Sequence, residues 1–261
     1  MRRVKLALGL AVLGVGAAAC GGSRSDARAL TVVRVLTPRL EVRRYDTSGA
    51  YPQVRGAGVD LRAVKGALRG AVLRAQRAYA RDARREVAEV PSPKGCRGVY
   101  QTWVRPRLMS ASTVVVSALV PTLELYPCGN DGATWISATI RVPSGKSVAV
   151  TELFASPRGL RALASAVRRQ ILSGDACVRD SQRNEKALGL AEEAQNLDAS
   201  PAHYRYFALT VSGLAVGFPI STIGAPSCNR VETTVPYAVV RPYLSELGRQ
   251  LVAGVRRPRF G

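Results

Sequence analysis

Histidine is almost absent from this chain: His203 is the only one in 261 residues. Any Ser-His-Asp or Cys-His relay would have to be built on that one ring. It stands in "SPAHYRY", a polar stretch entering a strand pattern, with no G-x-S-x-G nearby. Acidic residues are scarce too, 18 Asp and Glu against 38 Lys and Arg, so paired-carboxylate chemistry has few candidates. Glu192 and Glu193 are neighbours in sequence and do not share a helix face. Glu124, Asp131 and Glu152 remain as carboxylates for an enzyme acting on a polymer. Close C-x-x-C pairs are missing, which argues against a structural zinc site. "GKS" at 145 to 147 follows Ile140 where a phosphate-binding loop needs glycine, and no dinucleotide fingerprint occurs, so no cofactor is expected. The uncharged run from Leu6 to Ala19 is 14 residues, short of the roughly 20 that cross a bilayer as a helix.

What is present is arginine and apolar residues. Only five of the 38 cations are lysine, the formal charge is +20, and 47% hydrophobic content suffices for a packed core. Such a surface attracts anionic polymers. The first 19 residues divide into a basic start (Arg2, Arg3, Lys5), an apolar stretch (Leu6 to Val15) and small residues (Gly16 to Ala19), the pattern of an export signal. Ala17-Ala18-Ala19-Cys20, followed by two glycines, resembles the lipobox of bacterial lipoproteins. That resemblance implies cleavage before Cys20 and diacylation of its thiol, two acyl chains being enough for stable attachment. The other reading is ordinary cleavage at Ala19 with Cys20 left as a thiol. Without the signal the charge is still about +17. Residues 20–29 read as a polar tether, 30–255 as one folded unit and 256–261 as a basic tail.

Along that unit, residues 30–45 predict two strands broken near Pro38. From Asp60, a candidate N-cap, apolar residues at 61, 64, 68, 72, 75 and 79 predict a helix to about Arg85. Its other face carries Arg62, Lys65, Arg69, Arg77, Arg81 and Arg84, either a solvated surface or one that meets a membrane or polyanion. "VYQTWV" (99–104), "STVVVSALVPTLELY" (112–126, bent or ended near Pro121) and "WISATIRVP" (135–143) read as strands, the last two joined by the turn-rich "YPCGNDGATW". "PSGKS" makes a second turn. A helix capped by Ser156 follows from Pro157, with Leu160, Leu163, Val167 and Ile171 inward. A shorter polar helix is expected within 180–197, strands on either side of a turn at Ser212-Gly213, another at 231–235, and a last helix over 237–252. Pro242 would push its start later.

The order of "YPQVRG", "STVVVSAL", "YPCGNDG", "VPSGKSVAVTELF" and "YRYFALTVSGLAVGFPISTIGAPSCNRVETTVPYAVVRPYL" resembles the RsiV-type domain, over about 200 residues. That family includes the extracellular domain of lysozyme-sensing anti-sigma factors, domains beside peptidoglycan deacetylases, and secreted mycobacterial antigens. Ser144-Gly145-Lys146 to Glu152-Leu153-Phe154, and Ser212-Gly213-Leu214 to Pro236-Tyr237, carry most of the likeness. It implies an α+β fold, a curved and mainly antiparallel sheet packed with two or three helices, outside a membrane and binding rather than catalysing.

Set against that fold, the four remaining cysteines pair as Cys96–Cys128 and Cys177–Cys228 in preference to the other two arrangements. The expected partners are membrane lipid through Cys20 and an anionic envelope polymer or extracellular protein. Nucleic acid is not expected for an exported lipoprotein. A wall-polymer hydrolase or deacetylase accessory is the alternative reading. Lysozyme, itself basic, would be repelled.

Overall fold

The structure, a computed structural model, describes residues 28–37, 45–89, 100–126, 132–187 and 196–260. Its largest element is a curled, mostly antiparallel seven-stranded sheet of strand order β10-β1-β2-β3-β5-β4, with β6 on the other side of β5. The strands are β1 (Thr31–Leu36), β2 (Tyr45–Arg55), β3 (Tyr100–Val104), β4 (Ser110–Ala111), β5 (Val115–Leu125), β6 (Gly132–Arg141) and β10 (Arg259–Phe260). The α+β class read from the sequence is the one observed.

β2 was not legible as a strand, because "YDTSGAYPQVR" is rich in strand-breaking residues. It survives by changing partner midway. Residues 45–49 pair with β3 in parallel, and residues 50–55 pair with β1 antiparallel. Gly49 sits at the switch with φ +92°, where a Cβ would lie 2.1 Å from the Val104 carbonyl oxygen. Only glycine fits there.

β5, by contrast, was expected to bend or end at Pro121 and instead runs through it. Its odd-numbered residues direct their backbone groups away from β6: the Ser117 carbonyl accepts from Met109 N–H and the Pro121 carbonyl from Arg105 N–H. The missing proline N–H therefore faces the gap where β4 (opposite 116 and 117) has ended and β3 (opposite 122 to 125) has barely begun. No ladder bond is lost. The β5–β6 hairpin forms as predicted, in register from Val115↔Arg141 to Glu124↔Gly132. Its turn and Val99 lie outside the described residues.

α1 (Arg62–Glu89) covers one face of this sheet. Asp60 Oδ1 accepts the Arg62 backbone N–H at 2.9 Å and its carboxylate also binds the Arg62 side chain, as its capping role required. Leu61, Val64, Leu68, Val72 and Tyr79 are buried, and so is Gln76, which the apolar pattern did not single out.

On the opposite face sits a second sheet, β7 (Phe207–Leu209), β8 (Gly213–Phe218) and β9 (Val231–Pro236), in that order and antiparallel. Ser117 Oγ accepts from Leu209 N–H at 2.8 Å, and Ser137 Oγ donates to the Phe207 carbonyl, tying the sheets together. Beyond the second sheet lies α2 (Pro157–Gly174), whose Leu160, Leu163, Val167 and Ile171 are all buried. Ser156 occupies the N-cap position, but its side chain makes no capping bond.

The polar helix is α3 (Ala176–Ala187), beginning earlier than expected and placing Cys177 in its first turn instead of in a loop. The final helix is two: α4 (Tyr237–Val240) passes into a 3-10 turn at Arg241–Tyr243, and α5 (Glu246–Gly254) restarts after extended Leu244. Pro242 enforces the break, and Ser245 caps the restart by accepting from Gly248 N–H. The tail forms the short edge strand β10 beside β1, which no sequence pattern announced.

Candidate functional site

Strand alternation turns Trp103 and Arg105 to one face of β3. The register Trp103↔Leu123 and Pro121↔Trp135 extends that face across β5 and β6. The second sheet covers this face around Leu119 and Trp135 but stops short of Trp103, which is 39% exposed. Arg230, just ahead of edge strand β9, reaches over the boundary. Its guanidinium lies 5.1 Å from the Trp135 ring centroid, and Arg105 lies 4.4 Å from that of Trp103. Trp103, Arg105, Pro121, Leu123 and Arg230 line a depression of about 130 Å³.

Charge at this place is lopsided. Arg107 grips Glu232 of β9 with two hydrogen bonds, at 2.5 and 3.0 Å. Arg105 and Arg230 have no carboxylate within 4 Å among the described residues. Burial, together with repulsion from Arg105 and Arg107, holds the Arg230 guanidinium below its ordinary pKa, with Glu232 opposing. A site that keeps an arginine under such repulsion favours an arriving anion. The sequence signal is "TWVRPR" (102–107), an aromatic and a cation two apart in a strand.

A second depression of about 300 Å³ opens beside β6, between Arg74 of α1 and Arg205, with Ser137, Ala138, Thr139, Thr151 and Phe207 on its floor and walls.

A third polar region lies under the C-terminal half of α1. Tyr45, Tyr79, Tyr100 and Tyr126 pack ring against ring at 5.4 to 5.8 Å. Burial pushes the Tyr45 hydroxyl up to about 12, and it exchanges a 2.8 Å hydrogen bond with Thr102. Glu124 sits half-buried beside them, its pKa raised chiefly by burial although the Tyr126 hydroxyl donates to it.

Of the carboxylates singled out for an enzyme, Glu124 and Glu152 are the described ones, and each has its own separate partners. Glu152 is exposed and accepts the Ala149 N–H at 2.6 Å, which closes a turn. Glu124 lies on β5 opposite Gly132, where its charged neighbour is Asp82 and not Glu152. Asp131, Glu192 and Glu193 lie outside the described residues. His203 Nδ1 meets Asp198 Oδ1 at 2.8 Å in a turn that Asp198 also caps through Ser200 N–H, so the carboxylate holds the turn and the imidazole holds the carboxylate. Cys177 and Cys228 form the expected disulfide, bridging α3 to the 3-10 turn at Pro226–Cys228. Cys20, Cys96 and Cys128 lie outside the described residues. Among those residues, no group of three His, Cys, Asp or Glu side chains is placed to hold a metal, and no helix is long and apolar enough to cross a membrane.

No family model and no curated protein matches the sequence. Solved structures do resemble the fold. A member of the DUF3298 family from Bacteroides fragilis aligns over 86% of this chain and 97% of its own at 11% identity, with a TM-score of 0.55. A DUF3298 family protein from Pseudomonas aeruginosa aligns over 84% and 96% at 10% identity, with a TM-score of 0.50. The chain therefore has the fold seen in DUF3298 family structures.

Proposed function

We propose that this chain is a lipoprotein held through Cys20 on the outer face of the bacterial cytoplasmic membrane, and that it binds an anionic envelope glycan without chemically altering it. The observation that carries the binding function is the convergence of Arg105, Arg107 and Arg230 with Trp103 and Trp135, where Glu232 is the one carboxylate paired with them among the described residues. Exposed indole surface offers apolar contact to a sugar ring. Neighbouring guanidinium groups offer forked donors to a carboxylate or phosphate on that ring. The excess of positive charge over the whole chain adds long-range attraction.

Titration of the mature protein with polygalacturonate and with uncharged dextran, from low to moderate salt, tests the binding. We expect saturable binding to polygalacturonate only, weakened roughly tenfold or more by Arg230→Gln. Trp103→Ala should weaken it at every salt concentration. Binding that disappears at moderate salt and is indifferent to both substitutions would reduce the interaction to bulk charge. The anchor is tested separately by the intact mass of the membrane-extracted protein, where a mature N-terminus without added diacylglycerol refutes it.

A further inference from the structure

The larger depression beside β6 has a chemistry of its own, independent of the glycan reading. β6 pairs with β5 on one side and is an edge strand on the other. Because even-numbered residues of β6 face β5, the odd-numbered ones turn their N–H and C=O groups outward. Three neighbours confirm the parity. The Ala133 carbonyl accepts from Ile220 N–H, the Thr139 carbonyl accepts from Val148 N–H, and Arg141 N–H donates to the Lys146 carbonyl.

Between those contacts the edge is open. Ser137 N–H and C=O make no backbone hydrogen bond among the described residues, nor does Thr139 N–H, although Val148 stands beside that buried residue, and the cleft lies on this segment. The Ser137 and Thr139 hydroxyls are engaged inside the fold, with Phe207 and Ser117 respectively. Only their main-chain groups are on offer. An edge of this kind recruits an extended backbone, whose N–H and C=O groups recur at the spacing of the strand.

The flanks fix the charge of that backbone. Arg74 stands on one side and Arg205 on the other, both exposed and neither with a carboxylate within 4 Å among the described residues. Arg205 is stacked on Tyr206, its guanidinium carbon 4.8 Å from the ring centroid, which steadies it beside the cleft. A volume of about 300 Å³ admits a short stretch of chain. Among the described residues, no acidic side chain lines the cleft to repel a carboxylate.

We infer that the open edge of β6 at Ser137–Thr139 is a docking site for an extended, carboxylate-bearing peptide segment of a partner protein, which adds to the sheet by main-chain hydrogen bonds while Arg74 and Arg205 hold its acidic side chains. Strand addition supplies affinity, and the two arginines supply selectivity for acidic sequence.

The test is selection of a displayed library of random decapeptides against the mature protein, followed by synthesis of the enriched sequences. We expect enrichment of Asp or Glu at alternating positions. Affinity of those peptides should fall at least tenfold for Arg74→Glu or Arg205→Glu, and by a similar factor when the peptide's central amides are N-methylated, which leaves its charge intact. Amide exchange at Ser137 and Thr139 should slow in the complex. Both arginines are exposed, so the variants keep the fold, which is checked by their unchanged thermal midpoint. No enrichment, enrichment of non-acidic sequences, indifference to either arginine, or equal binding of the N-methylated peptides would overturn the proposal. So would a galacturonate tetramer that displaces the peptides with no amide protection of its own, since that would make the cleft a carboxylate site without strand pairing. Arg230→Gln tests the glycan reading and leaves this cleft untouched, so the two can fail separately.

Discussion

The two helix layers of this molecule bury polar groups in opposite ways. On the side of α2 and α3 the amides are answered: Gln182 donates to the Ile223 carbonyl, and Gln170 donates to the Thr234 carbonyl while accepting from Thr233. The Tyr204 hydroxyl donates to the Leu197 carbonyl, and a disulfide joins α3 to the loop before β9. Under α1, Gln76 is 1% exposed and neither atom of its amide has a partner among the described residues, where Gln53 Oε1 and Thr122 Oγ1 are also left over. Glu124 is penalised there by burial. On the outer face Lys65 and Arg69, Arg77 and Arg81, and Arg81 and Arg85 stack like charges four apart. Stability is thus concentrated in the layer of α2 and the second sheet, while the α1 layer carries unfavourable terms beside the depression between Arg74 and Arg205.

Removing the disulfide attacks the well-satisfied layer and should have the largest effect. The bridge closes a loop with a sequence separation of 51. The chain-entropy argument then gives a loss of about 4 kcal/mol for Cys177→Ser with Cys228→Ser, read as a lower urea midpoint. Loss of less than about 1 kcal/mol would break the contrast between the layers.

Gln76→Leu goes the other way. Replacing an orphaned amide by an apolar side chain of similar size should stabilise the protein by about 1–2 kcal/mol. The same substitution at Gln182 should destabilise it, because the Ile223 carbonyl would lose its donor.

Glu124→Gln sharpens the comparison through pH. The folded pKa of Glu124 is raised, so its ionised form opposes folding above that pKa, and the penalty is relieved as pH falls through it. The variant should therefore melt a few degrees above the parent at neutral pH, with the difference shrinking toward zero in acid. A difference that grew on acidification would reverse the assignment. The smallest effect belongs to Arg81→Glu, which converts two repulsive pairs four residues apart into attractive ones. It should add about 0.5 kcal/mol at low salt and nothing at high salt.

Much of the molecule was legible in advance because its cause is local. Asp60 capped α1, the apolar stripe of α2 was buried as its spacing required, and the β5–β6 and β7–β8 hairpins closed where turn residues stood. Pro121 misled the reading because its effect depends on which neighbour its nitrogen faces. β2 was missed because its residues are poor strand formers, held by two different partners in succession. The arginine–tryptophan site was half visible in "TWVRPR", yet Arg230 and Glu232 join it from 125 residues away.

By itself the sequence determined the periodic elements, the excess of arginine, and the poverty in histidine and carboxylates. Those follow from residue types and short-range spacing, which each segment carries wherever it is placed. Only the tertiary structure decided which groups converge. It left the sheet face uncovered at Trp103, set Arg105 and Arg230 against each other, kept the edge of β6 open at Ser137, and buried the amide of Gln76 without a partner. Each of these is a relation between distant segments, fixed by register and layer packing and invisible to any window along the chain.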